Sequence, residues 1–204
     1  MGEEPGPAGR TRGTGAAALG DVLYVAGGLI PGTSEGNDVV TDSVVAYHPK
    51  ERRWQAITAM ETPRARFRLV AAAGYLYAIG GLAQGGDNLS TVERYDPHSD
   101  SWTPRASMNE PRGLPGAAAV SRGSEQLIAV VGGSSGPLFL RSTEIYDVAR
   151  NQWRLLPAEL PRGVTSLAAA TESDGTLLAI GGTITTPHGT RNATHDVLAL
   201  RLDS

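Results

Sequence analysis

The chain has no cysteine, which excludes disulfides, thiol nucleophiles and thiolate metal sites and fits a reducing compartment. An excess of one charge sign is also missing. Eighteen Lys and Arg face 21 Asp and Glu, for a net charge of −3 and a pI near 5.8. No basic field is offered to nucleic acid or to an anionic membrane, so neither is expected as a partner. Long hydrophobic runs are lacking. The one uncharged stretch of spanning length, residues 69–86, is broken at Gly74, Gly80-Gly81 and Gly85-Gly86, which suits two buried strands and a turn. Residues 1–9, MGEEPGPAG, carry neither a basic region nor an apolar one. They read as a flexible segment rather than a secretory leader, and the expected location is cytoplasmic.

Glycine is abundant instead, with 26 residues. Four diglycines, Gly27-Gly28, Gly80-Gly81, Gly132-Gly133 and Gly181-Gly182, stand 53, 52 and 49 residues apart. Each of the first three is followed by a tyrosine and, seven residues later, a tryptophan: Tyr47 and Trp54, Tyr95 and Trp102, Tyr146 and Trp153. One structural unit is therefore copied about four times. A period near 50 residues carrying GG, Y and W resembles the kelch repeat, most closely in LYAIGGLAQGGDNLSTVERYDPHSDSW. The resemblance implies an all-β, kelch-type β-propeller, here a partial arc of about four four-stranded blades near residues 10–61, 62–109, 110–160 and 161–204.

The second unit shows how one blade is built. Residues 67–73 and 75–79 are continuous apolar runs, expected as inner strands buried between neighbouring blades. Residues 82–88 read as a loop. Residues 91–95 alternate, with Val92 and Arg94 against Glu93 and Tyr95, so this third strand is expected to have one wetter face. Residues 96–100 form a turn, and an outer strand starts at Ser101. Glycine recurs where a strand meets another backbone or φ turns positive, and the Tyr and Trp supply area between blades. The fourth unit stops without a Trp, its Tyr position is expected to be filled by Leu200, and the arc is expected to expose apolar flanks open to self-association.

Charges recur too. Arg10, Arg64, Arg112 and Arg162 stand before the inner strands, the last three directly after proline, and Glu93 and Glu144 precede their tyrosines by two. A charge repeated once per blade points to a structural pair rather than a site, because a site on a pseudo-symmetric ring is made by what differs between blades. Arg12 and Arg66, two residues past the recurring arginines, are the better binding candidates, since an arginine fork matches a carboxylate.

Catalysis finds little support in the residues. The four histidines, His48, His98, His188 and His195, show no metal-ligand spacing, and Ser134-Ser135-Gly136 lacks the nucleophile-elbow frame. No cofactor or metal is expected. The kelch resemblance implies a non-catalytic protein- or peptide-recognition module, the substrate-recognition part of a larger adaptor. Its loops after the diglycines (29–42, 82–88, 134–138 and 183–192) and the turns entering each first strand form the reading face. Candidate contacts are Arg12, Arg66, Gln84, Asp87, Asn88, Ser134 and Ser135. The alternative is a carbohydrate-acting propeller enzyme, resembling the sialic-acid epimerases.

Overall fold

The computed structural model describes residues 11–32, 38–186 and 189–202. The segment 1–9, Arg10, Thr33, Ser34 and His188 lie outside the described residues. Every element is a strand, and none of the described residues is helical.

Blade 1 consists of β1 (Gly15–Leu19), β2 (Val22–Ala26), β5 (Val44–His48) and β6 (Arg53–Ile57), with a ribbon of β3 (Leu29–Ile30) and β4 (Val39–Val40) between its second and third strands. Blade 2 is β7 (Arg68–Ala72), β8 (Tyr75–Ile79), β9 (Val92–Asp96) and β10 (Ser101–Arg105). In blade 3, β11 (Gly116–Arg122), β12 (Glu125–Val131), β15 (Thr143–Asp147) and β16 (Gln152–Leu155) form the sheet, and β13 (Ser134–Ser135) pairs with β14 (Leu138–Phe139). Blade 4 has three strands among the described residues: β18 (Ala168–Thr171), β19 (Leu177–Ile180) and β22 (Val197–Leu200). A small sheet of β17 (Val164–Thr165), β20 (Thr183–Thr185) and β21 (Arg191–Ala193) accompanies it. Each blade is an antiparallel meander, and the first strands β1, β7, β11 and β18 touch in succession, so the blades fan out as an open arc.

Three apolar clusters fill the spaces between blades. Leu69, Leu76 and Trp102 of blade 2 pack on Tyr24 and Ala46 of blade 1. Val70, Tyr77 and Ile79 on its other face meet Ile128 and Tyr146, and Ala129, Ile145 and Leu127 meet Leu167, Leu177 and Leu200. The expected wet face of the third strand is therefore corrected, because Glu93 is only 2 % exposed. Alternation along β9 distributes side chains between two neighbouring blades rather than between core and solvent.

The blades are also tied by backbone. Arg66 donates to the Gly13 carbonyl (2.7 Å), Leu114 to that of Arg66 (2.7 Å) and Ser166 to that of Leu114 (2.9 Å). These four equivalent residues all have positive φ, between 51° and 67°. This belt sets the register of the repeat and corrects two alignments read from spacing. The carbonyls of Arg64, Arg112 and Val164 accept from Gly28, Gly81 and Gly133, so Val164 and not Arg162 fills the fourth arginine position. Arg12 pairs with Leu29 as Ala65 does with Leu82 and Gly113 with Ser134. Arg12 and Arg66 are therefore not equivalent, and Gly13 is the counterpart of Arg66.

The diglycines close the same junctions. At Gly80, with φ +62°, an added Cβ would stand 2.6 Å from the Arg112 carbonyl oxygen, a contact no side chain tolerates. The regions following them, read as loops, fold as ribbons in blades 1, 3 and 4. In blade 2 the stretch is pinned by bridges from Leu82 to Ala65 and Asn88.

Candidate binding face

Two of the recurring arginines are structural. The Arg64 guanidinium stands 2.5 Å from the Glu93 carboxylate, and Arg112 stands 3.0 Å from Glu144; all four side chains are essentially sealed from solvent. Each arginine also donates to two carbonyls of its own blade, Gly80 and Thr91 or Gly132 and Ser142. Each carboxylate caps backbone N–H groups of the entering linker, Glu61 and Thr62 or Asn109 and Glu110. Burial lowers the pKa of Arg64 while the neighbouring Glu93 opposes that shift. Arg162 is a surface residue bound to Asp196.

The loops and ribbons at the belt end of the arc enclose a cleft of about 540 Å³. Arg66, Asn88, Leu114, Ser134, Phe139, Ser166 and Arg191 contribute to its walls, and its lining contains no carboxylate among the described residues. Arg66 and Arg191 are both exposed. Arg191, brought here by the β20–β21 ribbon, lies with its guanidinium 5.1 Å from the Phe139 ring centroid. Neither arginine is in an ion pair with a described residue. A hollow of about 290 Å³ on the outer flank of blade 3 differs in this respect, because Arg122, Arg150 and Arg154 there are accompanied by Glu125 and Asp147.

The residues singled out from the sequence fall into three groups. Arg66, Asn88 and Ser134 line the cleft, while Asp87 is exposed beside it. Arg12 is engaged by Asp38. Gln84 is a clasp, accepting from Val40 N–H at 2.8 Å and donating to the Asp38 carbonyl at 3.2 Å. Asn88 is a second clasp, accepting from Gly136 N–H at 2.7 Å. The loop of blade 2 is thus tied to both neighbours. Ser134 Oγ donates to Gly113, and Ser135 pairs with Leu138 in the ribbon. Arg191 lies in the 183–192 segment expected on the reading face but was not singled out there, and Phe139, one residue past the 134–138 segment, escaped notice. The signal that could have found them is their placement in ribbons that differ between blades.

Tyr47, Tyr95 and Tyr146 pair across strands with Trp54, Trp102 and Trp153, ring centroids 4.9–5.1 Å apart. Trp102 Nε1 donates to the Thr58 carbonyl and Trp153 Nε1 to that of Ala106, at 2.9 and 2.8 Å. The pairs of blades 2 and 3 bind blade to blade, and none of the six rings lines the cleft.

Comparison with known proteins agrees with this architecture. A family profile described as the Kelch motif matches residues 10–61, 63–109 and 126–158, well over half of the chain. Kelch-like protein 34 of Homo sapiens is 30% identical over 172 residues, covering 79% of this chain and 26% of that protein. Kelch-like protein 26 of Mus musculus is 41% identical over 88 residues, covering 43% and 14%. For Kelch-like protein 35 of Mus musculus the values are 32% over 140 residues, 69% and 22%. The chain thus spans about a quarter or less of the length of these relatives. A solved structure of YjhT superposes with a TM-score of 0.79 over 95% of this chain and 69% of that one, at 18% identity, a likeness of fold. With its three motif matches falling on three four-stranded blades, the chain belongs to the kelch family.

Proposed function

We propose that the chain is a non-catalytic recognition module whose cleft binds a protein or peptide partner through a carboxylate, the recognition share of a larger cytoplasmic adaptor. The observation that carries this reading is the pair of exposed cleft arginines, Arg66 and Arg191, in a lining whose described residues include no carboxylate. A guanidinium offers a planar fork of donors matched to a carboxylate, and Phe139 holds one of the two forks in place. The clasps of Gln84 and Asn88 support the reading by presenting the cleft as a preformed surface, which lowers the ordering cost of association.

The test is a pull-down with mass spectrometry, repeated with Arg66→Ala and Arg191→Ala. Partners held by the cleft are lost with either variant at unchanged melting temperature. A partner retained by both places recognition elsewhere.

A further inference from the structure

Asn88 is bound to blade 3 in a way that fixes which end of its side-chain amide is which. The Gly136 N–H can only donate, so Oδ1 of Asn88 must face it, at 2.7 Å. Nδ2, with its two N–H donors, is thereby turned away from Gly136 and lies over Gly113. A Cβ placed on Gly113 would stand 2.3 Å from Nδ2 and 3.4 Å from Ser134 Oγ. Gly113 adjoins Leu114 and is bridged to Ser134, and Asn88, Leu114, Ser134 and Gly136 all line the cleft. The oriented amide therefore belongs to the cleft wall.

The glycine beneath it breaks the repeat. In the belt register its counterparts are Arg12, Ala65 and Thr165, all of which carry side chains. Gly113 is not among the glycines with positive φ, so its backbone conformation does not call for glycine. The space taken by the Asn88 amide does. On a pseudo-symmetric scaffold a site is made by what differs between units, and blade 3 gives up a side chain here to seat one polar group. That group is neutral, unlike the cleft arginines. Its match is a carbonyl oxygen, which every residue of a peptide carries on its main chain.

We infer that Asn88 is a specificity-determining residue of the cleft, its Nδ2 donating to a main-chain carbonyl oxygen of the bound peptide while Arg66 and Arg191 take the carboxylate. The inference rests on the recognition reading above and adds that the ligand is read as a peptide rather than as a bare anion.

The experiment titrates the whole nitrogen-labelled chain with N-acetyl-glutamate N-methylamide, which carries a carboxylate and main-chain carbonyls, and with butyrate, which carries the carboxylate alone. NMR follows the Asn88 side-chain NH2 and the Nε–H of Arg66 and Arg191. Both probes should shift the arginine signals, and only the peptide-like probe should shift the Asn88 pair. That probe should bind about tenfold more tightly than butyrate, the effect of one added hydrogen bond. Gly113→Ala, which places a methyl group where Nδ2 lies, should bring the two affinities to within about twofold of each other. Asn88→Asp keeps an oxygen for the Gly136 N–H and loses both donors, so it should do the same, and it serves if the alanine variant does not fold. Its added charge weakens both probes alike and cancels in their ratio. Arginine signals that respond while the Asn88 pair stays silent, or moves equally with butyrate, overturn the inference and leave the recognition reading standing. Silence of both arginines with both probes overturns both.

Discussion

Arg112 and Glu144 form an ion pair in which neither side chain is exposed to solvent, with the guanidinium nitrogen 3.0 Å from the carboxylate oxygen. The same pair occurs in blade 2 as Arg64 and Glu93. In the belt register the corresponding positions are Thr11 and Val45 in blade 1, and Val164 and Leu198 in blade 4. Both charges are present or both are absent. That pattern follows from the cost of a buried charge left alone, which exceeds the modest net worth of the pair itself.

The pair therefore behaves as a unit. Arg112→Met and Glu144→Gln should each destabilise the domain by about 3–5 kcal/mol. The double variant should cost clearly less than their sum, with a coupling of at least about 1 kcal/mol. Denaturant unfolding of the four members of the cycle measures this, and additive losses would show that the two side chains act independently.

The diglycines should differ in sensitivity. At Gly80 the added Cβ would collide with the Arg112 carbonyl at 2.6 Å, while at Gly181 the nearest atom is the Thr194 carbonyl oxygen at 3.4 Å. Both have positive φ, so each alanine variant bears about 1–2 kcal/mol of backbone strain. Gly80→Ala should lose at least a further ~1 kcal/mol in an unfolding titration. Equal losses would mean that the junction yields to the methyl group.

Trp102 is 5% exposed and hydrogen-bonded to the preceding blade. Trp102→Ala should cost about 3–5 kcal/mol, because the rigid interface cannot refill the cavity. Trp54 is only half-buried, so Trp54→Ala should cost markedly less. Reversal of this order in matched melting curves would contradict the packing described here.

Burial raises the pKa of the Tyr146 phenol from 10.0 to about 12, and Tyr95 is raised as well. Below pH 10 both folded and unfolded chains keep these protons. As pH rises from 10 towards 12 the unfolded chain ionises first, so the stability contribution is lost across that window. Melting temperature should fall from pH 9 to 11.5, and less steeply for Tyr146→Phe. Parallel pH profiles for wild type and variant would refute the assignment.

Arg66 occupies a left-handed backbone conformation with φ 54°, where its counterpart in blade 1 is Gly13. Arg66→Gly should leave stability within about 0.5 kcal/mol of wild type, as relief of strain offsets the added freedom of the unfolded chain. Partner capture should nevertheless be lost. A strongly destabilised Arg66→Gly would assign the side chain a packing role.

Much of the architecture was legible because each blade repeats bulky markers at fixed intervals. The diglycines and Tyr–Trp pairs locate the strands, and Leu200 does stand opposite Leu177 as Tyr95 stands opposite Leu76. Arg162 misled because a Pro-Arg dipeptide recurs there, while the geometric equivalence lies two residues later, at Val164. Ribbons of two- and three-residue strands leave no periodicity to detect. The clasps of Gln84 and Asn88 reach backbone atoms 44 and 48 residues away, and no local pattern records such contacts.

The belt through Gly13, Arg66, Leu114 and Ser166 is built from identical couplings, each formed by one amide hydrogen and one carbonyl oxygen pointing the same way around the arc. A series joined in this manner has direction but no intrinsic number of members. Tandem duplication of one unit inserts a link whose two ends already fit its neighbours, without redesign of either. The side-chain ties are then free to diverge from unit to unit, as the interchange of charged and uncharged pairs at a single position shows.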